Sequence, residues 1–379
     1  MNIKKIKWNH YINYVVIGII TLVLTVISLN QPLNSSLLFL LEKIAISIIL
    51  AVSLSLVVGF LGELSLGHAG FMCVGAYLGG KVSALLVPSL GNGIAAFLIS
   101  LVVGAGVAAL CGVIIGIPAL RLRGDYLAIV TLAFGEIVKS IFQNTSKESF
   151  GGAIGLATPR YDKNYLFIIA FALVLITLAI IQNYIRSKHG RAVTAIRDNE
   201  IAARATGINV TKYKLITFTL SATFAGIAGV LYSYSNYTVQ SAKFGYNYSI
   251  EILVMVVLGG MGKINGSIIA ATLITYLNTK FATVLTGDLA VLQNLIYALI
   301  LIVIVIYNNA PALKHFRNRY NFSDFVKKLF KHHSDPSHVK DDAQKWDVVP
   351  TKIEMNEVLS VDMVPPEMKD YDKGNGGKK

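Results

Sequence analysis

At 379 residues, 54% of them hydrophobic and only 15% charged, the chain is far more apolar than a soluble domain, which carries roughly a quarter charged residues. Its mean hydropathy of +0.60 and its recurring apolar runs, each long enough to cross a bilayer, exclude an ordinary soluble enzyme. The net charge of +13 sits beside those runs without aromatic-basic interleaving, so it is read as topology signals and contacts to membrane lipids, with no nucleic-acid partner.

The pattern predicts an all-α, polytopic helical membrane protein of about 8–10 transmembrane helices with glycine-broken segments. Ten apolar segments lie at 11–29, 37–61, 66–87, 93–117, 124–142, 163–185, 213–235, 248–262, 266–285 and 290–309. The first follows Lys4, Lys5 and Lys7 and is too long for a signal-peptide core, so 1–36 reads as a basic N-terminus with a retained first helix. Segments 124–142 and 248–262 are short and each holds a carboxylate, which leaves open whether they span fully.

The second segment runs into Gly59-Phe60-Leu61-Gly62-Glu63-Leu64-Ser65-Leu66-Gly67-His68-Ala69-Gly70. Broken backbone at membrane depth is tolerated only inside protein or along a wet cavity. The stretch is therefore a tight turn or part of a solute path, and Gly62, Glu63, Ser65, Gly67 and His68 are candidate pathway and hinge residues. Small-residue helix packing is the plainer account of Gly67, Gly70, Gly75, Gly79 and Gly80. A buried structural network is the plainer account of Glu63 and His68. Cys73 and Cys111 lie in apolar segments and read as small buried hydrophobes, with no metal site or disulfide framework.

Arg121-Leu122-Arg123-Gly124-Asp125-Tyr126 opens the fifth segment. Arg123 and Asp125 are placed to pair, and both arginines serve equally as topology anchors. Glu136 inside that segment is costly unless paired, and Lys139, three residues on, is a helical partner.

Between the sixth and seventh segments a basic loop, about 186–212, is longer than a bare connector needs. Ala192 to Gly207 are good helix formers, and Gly207 is a natural stop. Arg197 and Arg204 flank Glu200 at intrahelical pairing distance, and Ala202, Ala203 and Ala205 form a small-residue face for another subunit. Arg191, Arg197, Glu200, Ala202, Ala203 and Gly207 are the candidate coupling residues; an amphipathic connector is the alternative. Further on, Glu251 is followed by Gly259, Gly260 and Gly262, which suggests a half-helix ending in a turn beside a solute path. Glu251 near the start of that helix would also suit the helix dipole.

With ten crossings both termini share one side. The cations at 4–7, 121–123, 186–214 and 314–319 all fall there, which makes that side cytoplasmic. Residues 311–333 read as a basic amphipathic juxtamembrane segment, with a short solvated helix after the last span as the equal alternative, and 334–379 as a disordered cytoplasmic tail. No phosphate-binding Gly-x-x-x-x-Gly-Lys-Ser/Thr loop, His-Glu-x-x-His, Cys-x-x-Cys or Gly-x-Ser-x-Gly occurs. Neither cofactor, metal nor catalytic residue is expected.

Four stretches, in order, carry a resemblance: Gly62–Phe71, Leu120–Ile137, Gly190–Gly207 and Ser249–Gly262. They are similar to the permease subunits of bacterial ABC importers for branched-chain amino acids, in particular the M-type of the two-permease, high-affinity leucine/isoleucine/valine system. The resemblance covers roughly 38–310, which makes 37–310 the permease transmembrane domain. It implies a multi-pass plasma-membrane subunit, not an enzyme, that moves leucine, isoleucine and valine. The implied partners are a second permease, two ABC ATPase subunits that hydrolyse the ATP, and an extracytoplasmic solute-binding protein. The loop at 190–207 resembles the coupling helix, whose Glu-Ala-Ala-x-x-x-Gly pattern has Ile201 here in place of Glu, with Glu200 one position early. Urea or a short amide is the alternative substrate within the family. Rivals of another class are an ion-coupled transporter acting without an ATPase and a membrane enzyme using Glu63 and His68.

Overall fold

The computed structural model describes residues 34–284 except 92, 123 and 160–162, together with positions 17, 18, 21, 25, 299 and 302. The expected first and last segments, apart from those positions, lie outside the described residues. So do Arg123, the juxtamembrane segment 311–333 and the tail 334–379.

The eight inner apolar segments each become a helix whose ends fall within a few residues of the expected limits. Helix α1 (Ser35–Ser55) starts at Asn34, whose side chain accepts the Ser36 N–H, and runs into a π-helical turn over Leu56–Leu61. Then follow α2 (His68–Leu90), α3 (Ile94–Ala119), α4 (Asp125–Asn144) and the single turn α5 (Lys147–Phe150). Helix α6 (Lys163–Arg186) leads into the loop helices α7 (Lys188–Asp198) and α8 (Glu200–Ala205). Helices α9 (Val210–Ser235), α10 (Tyr246–Gly259) and α11 (Ile264–Val284) are the last of the described helices. The described strands are β1 (Leu156–Ala157) and β2 (Thr238–Val239), antiparallel with Leu156 opposite Val239.

Among the described residues five helices are long and apolar enough to cross a membrane, and α10 is apolar but shorter. Helix α1 is apolar all round and 94% of its most apolar window is buried, the expected position for such a helix. Helix α3 is as apolar, yet only 22% of its window is buried, so Val102, Leu110 and Ile114 face outward. In a membrane that surface meets lipid or another helix at no hydrophobic cost.

Helices α2, α3 and α9 cross on glycines, as the small-residue account of Gly75 expects. A Cβ at Gly75 would collide with the Gly226 backbone, and one at Gly229 with the Met72 carbonyl. Close backbone approach is how helices associate where the hydrophobic effect is absent. Gly226→Val forces a branched side chain against Ala108 and the Gly104 carbonyl. It is expected to cost about 1–3 kcal/mol, read as a lower thermal midpoint in detergent.

Several buried polar groups pair across the bundle. Glu42 is 1% exposed and accepts from the Ser235 hydroxyl. Tyr77 donates to the Val239 carbonyl at 3.0 Å, tying α2 to the β2 turn. Cys73 is buried and Cys111 half-buried, and both are free thiols.

Candidate coupling site and solute path

The first glycine break is a set of close approaches. After the π-helical turn the backbone turns at Gly62 (φ +80°), continues without helix, and re-enters helix at His68. Leu66 N–H donates to Thr131 Oγ1 at 3.0 Å and Ala69 N–H to Ser249 Oγ at 3.2 Å, which anchors the break to α4 and α10. A Cβ at Gly67 would strike the Thr131 carbonyl. Ser65 and His68 are each 2% exposed, and His68 Nε2 lies 2.7 Å from Ser53 Oγ. This is the geometry of a buried structural network.

The two glycine breaks, far apart in sequence, touch. A Cβ at Gly59 would collide with the Gly262 backbone, and one at Gly259 with Gly266. Helix α10 ends at Gly260 (φ +89°), and Gly262 (φ +77°) completes the turn into α11, the expected half-helix ending.

The loop at 186–212 folds onto these breaks. It is two helices, not the single one expected between Ala192 and Gly207. Asn199 is extended (φ −159°, ψ 106°) and its Oδ1 accepts from the N–H groups of Ile201 and Ala202, both at 3.0 Å, so it caps α8 and interrupts the helix. Two expectations change as a result. Arg197 does not pair with Glu200 but with Asp198 at 2.9 Å, because Asn199 breaks the helical register between them. Ala203 does not share an outward face with Ala202 and Ala205; it is 4% exposed and packs inward, leaving Ile201 (77% exposed) beside Ala202 on the outside. Arg204 pairs with Glu200 at 2.6 Å as expected, and Gly207 (φ +82°) closes the turn. Arg191 donates to the Arg186 carbonyl at 3.3 Å, bracing α7 against the end of α6.

Two side chains join the loop to the first break. Arg197 Nη1 donates to the Gly59 carbonyl at 3.1 Å. Lys214 lies between Glu63 Oε1, at 2.5 Å, and Glu200 Oε2, at 3.2 Å. Lys214, counted in the sequence among the cations between the sixth and seventh segments, is 4% exposed and buried in these ion pairs. Helix α9 begins at Val210, earlier than the segment limit of 213, so Lys214 sits on its second turn facing the bundle. A cavity of about 440 Å³ lies here, lined by Gly62, Glu63, Asp125, Arg197, Glu200 and Lys214 among others. Asp125 is exposed in the first turn of α4.

The other expected residues lie elsewhere. Glu136 pairs with Lys139 at 2.6 Å, as expected, and also accepts the Tyr246 N–H at 2.7 Å, holding the start of α10. Glu251 is six residues into α10, whose first turn carries no acid, so the dipole account of it does not hold. It accepts instead from Asn278 Nδ2 at 2.9 Å, on α11. Sequence reasoning missed Asn199, Lys214 as a buried cation, Glu42 and Lys43. The Asn before Glu200 was the one available signal, since Asn is a strong helix N-cap.

A family model described as "Branched-chain amino acid transport system / permease component" matches residues 36–306. The chain belongs to this permease family. The chain is 36% identical over 261 residues to the high-affinity branched-chain amino acid transport system permease protein LivM of Salmonella typhimurium, covering 60% of each chain. It is 36% identical over 260 residues to LivM of Escherichia coli K12, again 60% of each. The ribose import permease protein RbsC of Escherichia coli K12 is 25% identical over 285 residues, 71% of this chain and 84% of that one. The chain thus spans about 60% of the length of the LivM proteins it matches. No solved structure matches it. Family membership and the five apolar helices place the protein in a membrane.

Proposed function

We propose that this permease-family member is a membrane-spanning subunit of an ATP-driven importer carrying leucine, isoleucine and valine across a bacterial plasma membrane, with both termini cytoplasmic. Its partners are a second permease, two ATPase subunits that perform the hydrolysis and dock on α7–α8, and a solute-binding protein at the opposite face. The higher identity to the LivM proteins than to RbsC supports a branched-chain amino acid as solute.

One observation carries the coupling reading. The exposed loop helices are tied by Arg197 and Lys214 to the backbone break at 59–67, which in turn abuts Gly262. A connector needs no such ties. Force on the outward Ile201–Ala202 edge of α8 would move Glu200, and through Lys214 and Glu63 would shift the break. Coupling requires that the two states differ in such contacts. Arg197→Glu combined with Gly207→Val is expected to leave membrane insertion and ATP hydrolysis intact while lowering uptake about tenfold, a coupling term of about 1.4 kcal/mol. Uptake at an unchanged rate would make the loop a plain connector. Competition of labelled leucine uptake by unlabelled leucine and by urea separates the two substrates, and uptake driven by an ion gradient without ATPase would support the ion-coupled rival.

A further inference from the structure

A second cavity, of about 590 Å³, lies at the opposite ends of the same helices. It is lined by Phe39 and Lys43 near the start of α1 and by Tyr232 near the end of α9, whereas Leu61 and Lys214 at the other ends of α1 and α9 line the coupling cavity. From α10 come Tyr248 and Glu251, and from α11 Thr275 and Asn278. The volume is in the range of about 300–1,000 Å³ typical of small-molecule sites.

Its chemistry is that of opposite charges among aromatic rings. Lys43 faces the cavity from α1, long enough to span a membrane, and Glu251 from the shorter apolar α10, and charged groups in apolar helices are costly unless they serve a path or a partner. They do not close on each other: Lys43 Nζ stands 4.5 Å from the Phe39 ring centroid, and Glu251 accepts from Asn278. Thr275 is 7% exposed, and its hydroxyl has no hydrogen-bond partner among the described residues. A buried hydroxyl left unmatched in a cavity wall is a group that a polar ligand can satisfy. An exposed Lys243 also lines the cavity, so the wall carries a cationic excess.

We propose that this cavity binds an α-amino acid as its zwitterion, with Lys43 facing the carboxylate, Glu251 the ammonium, and Phe39, Tyr232 and Tyr248 the apolar side chain. The proposal rests on the branched-chain amino acid reading above and assigns its solute a place in this subunit. A neutral sugar can hydrogen-bond to both charged groups but neutralises neither, and an anionic lipid headgroup would be opposed by Glu251. A zwitterionic lipid headgroup shares the chemistry, and the test separates it.

The test uses the assembled complex from native membranes with Thr279→Cys, a cavity-lining position on α11, in a Cys111→Ser background; Cys73 is buried and stays. Labelling by a small thiol reagent is followed with leucine, leucinamide or 4-methylpentanoate, the last two each lacking one charge. Leucine at about ten times its half-protecting concentration is expected to slow labelling about tenfold. Each analogue at the same concentration is expected to leave labelling nearly unchanged, and Lys43→Met to remove the protection by leucine. Should Lys43→Met fail to reach the membrane, the analogue comparison with native Lys43 still decides. Equal protection by all three compounds, or none by leucine, overturns the proposal. So does full protection in phosphatidylethanolamine vesicles before leucine is added, which would assign the cavity to a lipid headgroup. ATP-driven leucine uptake by the same complex is measured in parallel: if it persists without protection, only the site is wrong, and if it is absent, the transport reading itself fails.

Discussion

Lys214→Met is expected to reduce ATP-driven uptake more than any other single substitution at the loop. Lys214 is 4% exposed and is the cation that holds Glu63 and Glu200 together. Its removal leaves two carboxylates facing one another, Glu63 with 13% and Glu200 with 23% of the side chain exposed, and only Glu200 keeps a partner, Arg204. Removing one partner of a buried pair costs about 3–5 kcal/mol, and the part-exposure of Glu200 puts this site at the low end. If a loss of that size, about 3 kcal/mol, falls on the coupling as well as on the fold, uptake drops roughly 150-fold. A loss of this size can reflect unfolding, so the double variant Glu63→Gln with Lys214→Met is the decisive companion. It removes the unpaired charge at Glu63 and should restore thermal stability while leaving uptake low. Uptake restored together with stability would mean that the ion pairs hold the fold and transmit nothing.

Gly59→Ala should produce the second largest effect, by geometry rather than charge. An added Cβ would collide with the Gly262 backbone nitrogen, and backbone cannot turn aside as a flexible side chain can. The two breaks must separate, and the Gly59 carbonyl must leave its place opposite Arg197 Nη1. Overpacking of this kind costs about 1–3 kcal/mol. If the contact between the breaks works as a hinge, ATP hydrolysis should persist while uptake drops about tenfold or more. Gly91→Ala is the control: Gly91, between α2 and α3, has φ +72° but open space around it, so it bears backbone strain without a collision. Uptake and hydrolysis rates of the two variants, measured side by side in reconstituted vesicles, give the comparison. Equal losses from both would leave the Gly59–Gly262 contact with no special role.

How much was legible in the chain differs from feature to feature. The helix limits were, because an apolar run of bilayer length punctuated by glycine, proline or charge is a local signal. The turn at Gly62 and the half-helix ending at Gly260 were legible for the same reason: glycine clusters in an apolar run mark places where the backbone must depart from helix. Pairs three or four residues apart, Glu136 with Lys139 and Glu200 with Arg204, follow from helical spacing alone. Arg197 with Glu200 has comparable spacing and failed, because an Asn cap between them ended one helix and began another.

Composition and periodicity were therefore enough to establish a helical membrane protein and the positions of its breaks, since each depends on residues within a turn or two of one another, whereas the permease reading came from the resemblance of four stretches to a known family. The partners of Lys214, the contact of Gly59 with Gly262, the burial of Glu42 against Ser235 and the meeting of Lys43 and Glu251 in one cavity were settled by the packing of the helices. In an apolar helix a charge has no local cue to its partner. Which distant residue it meets depends on how the helices rotate and cross, and those crossings depend on glycine contacts between helices far apart in the chain.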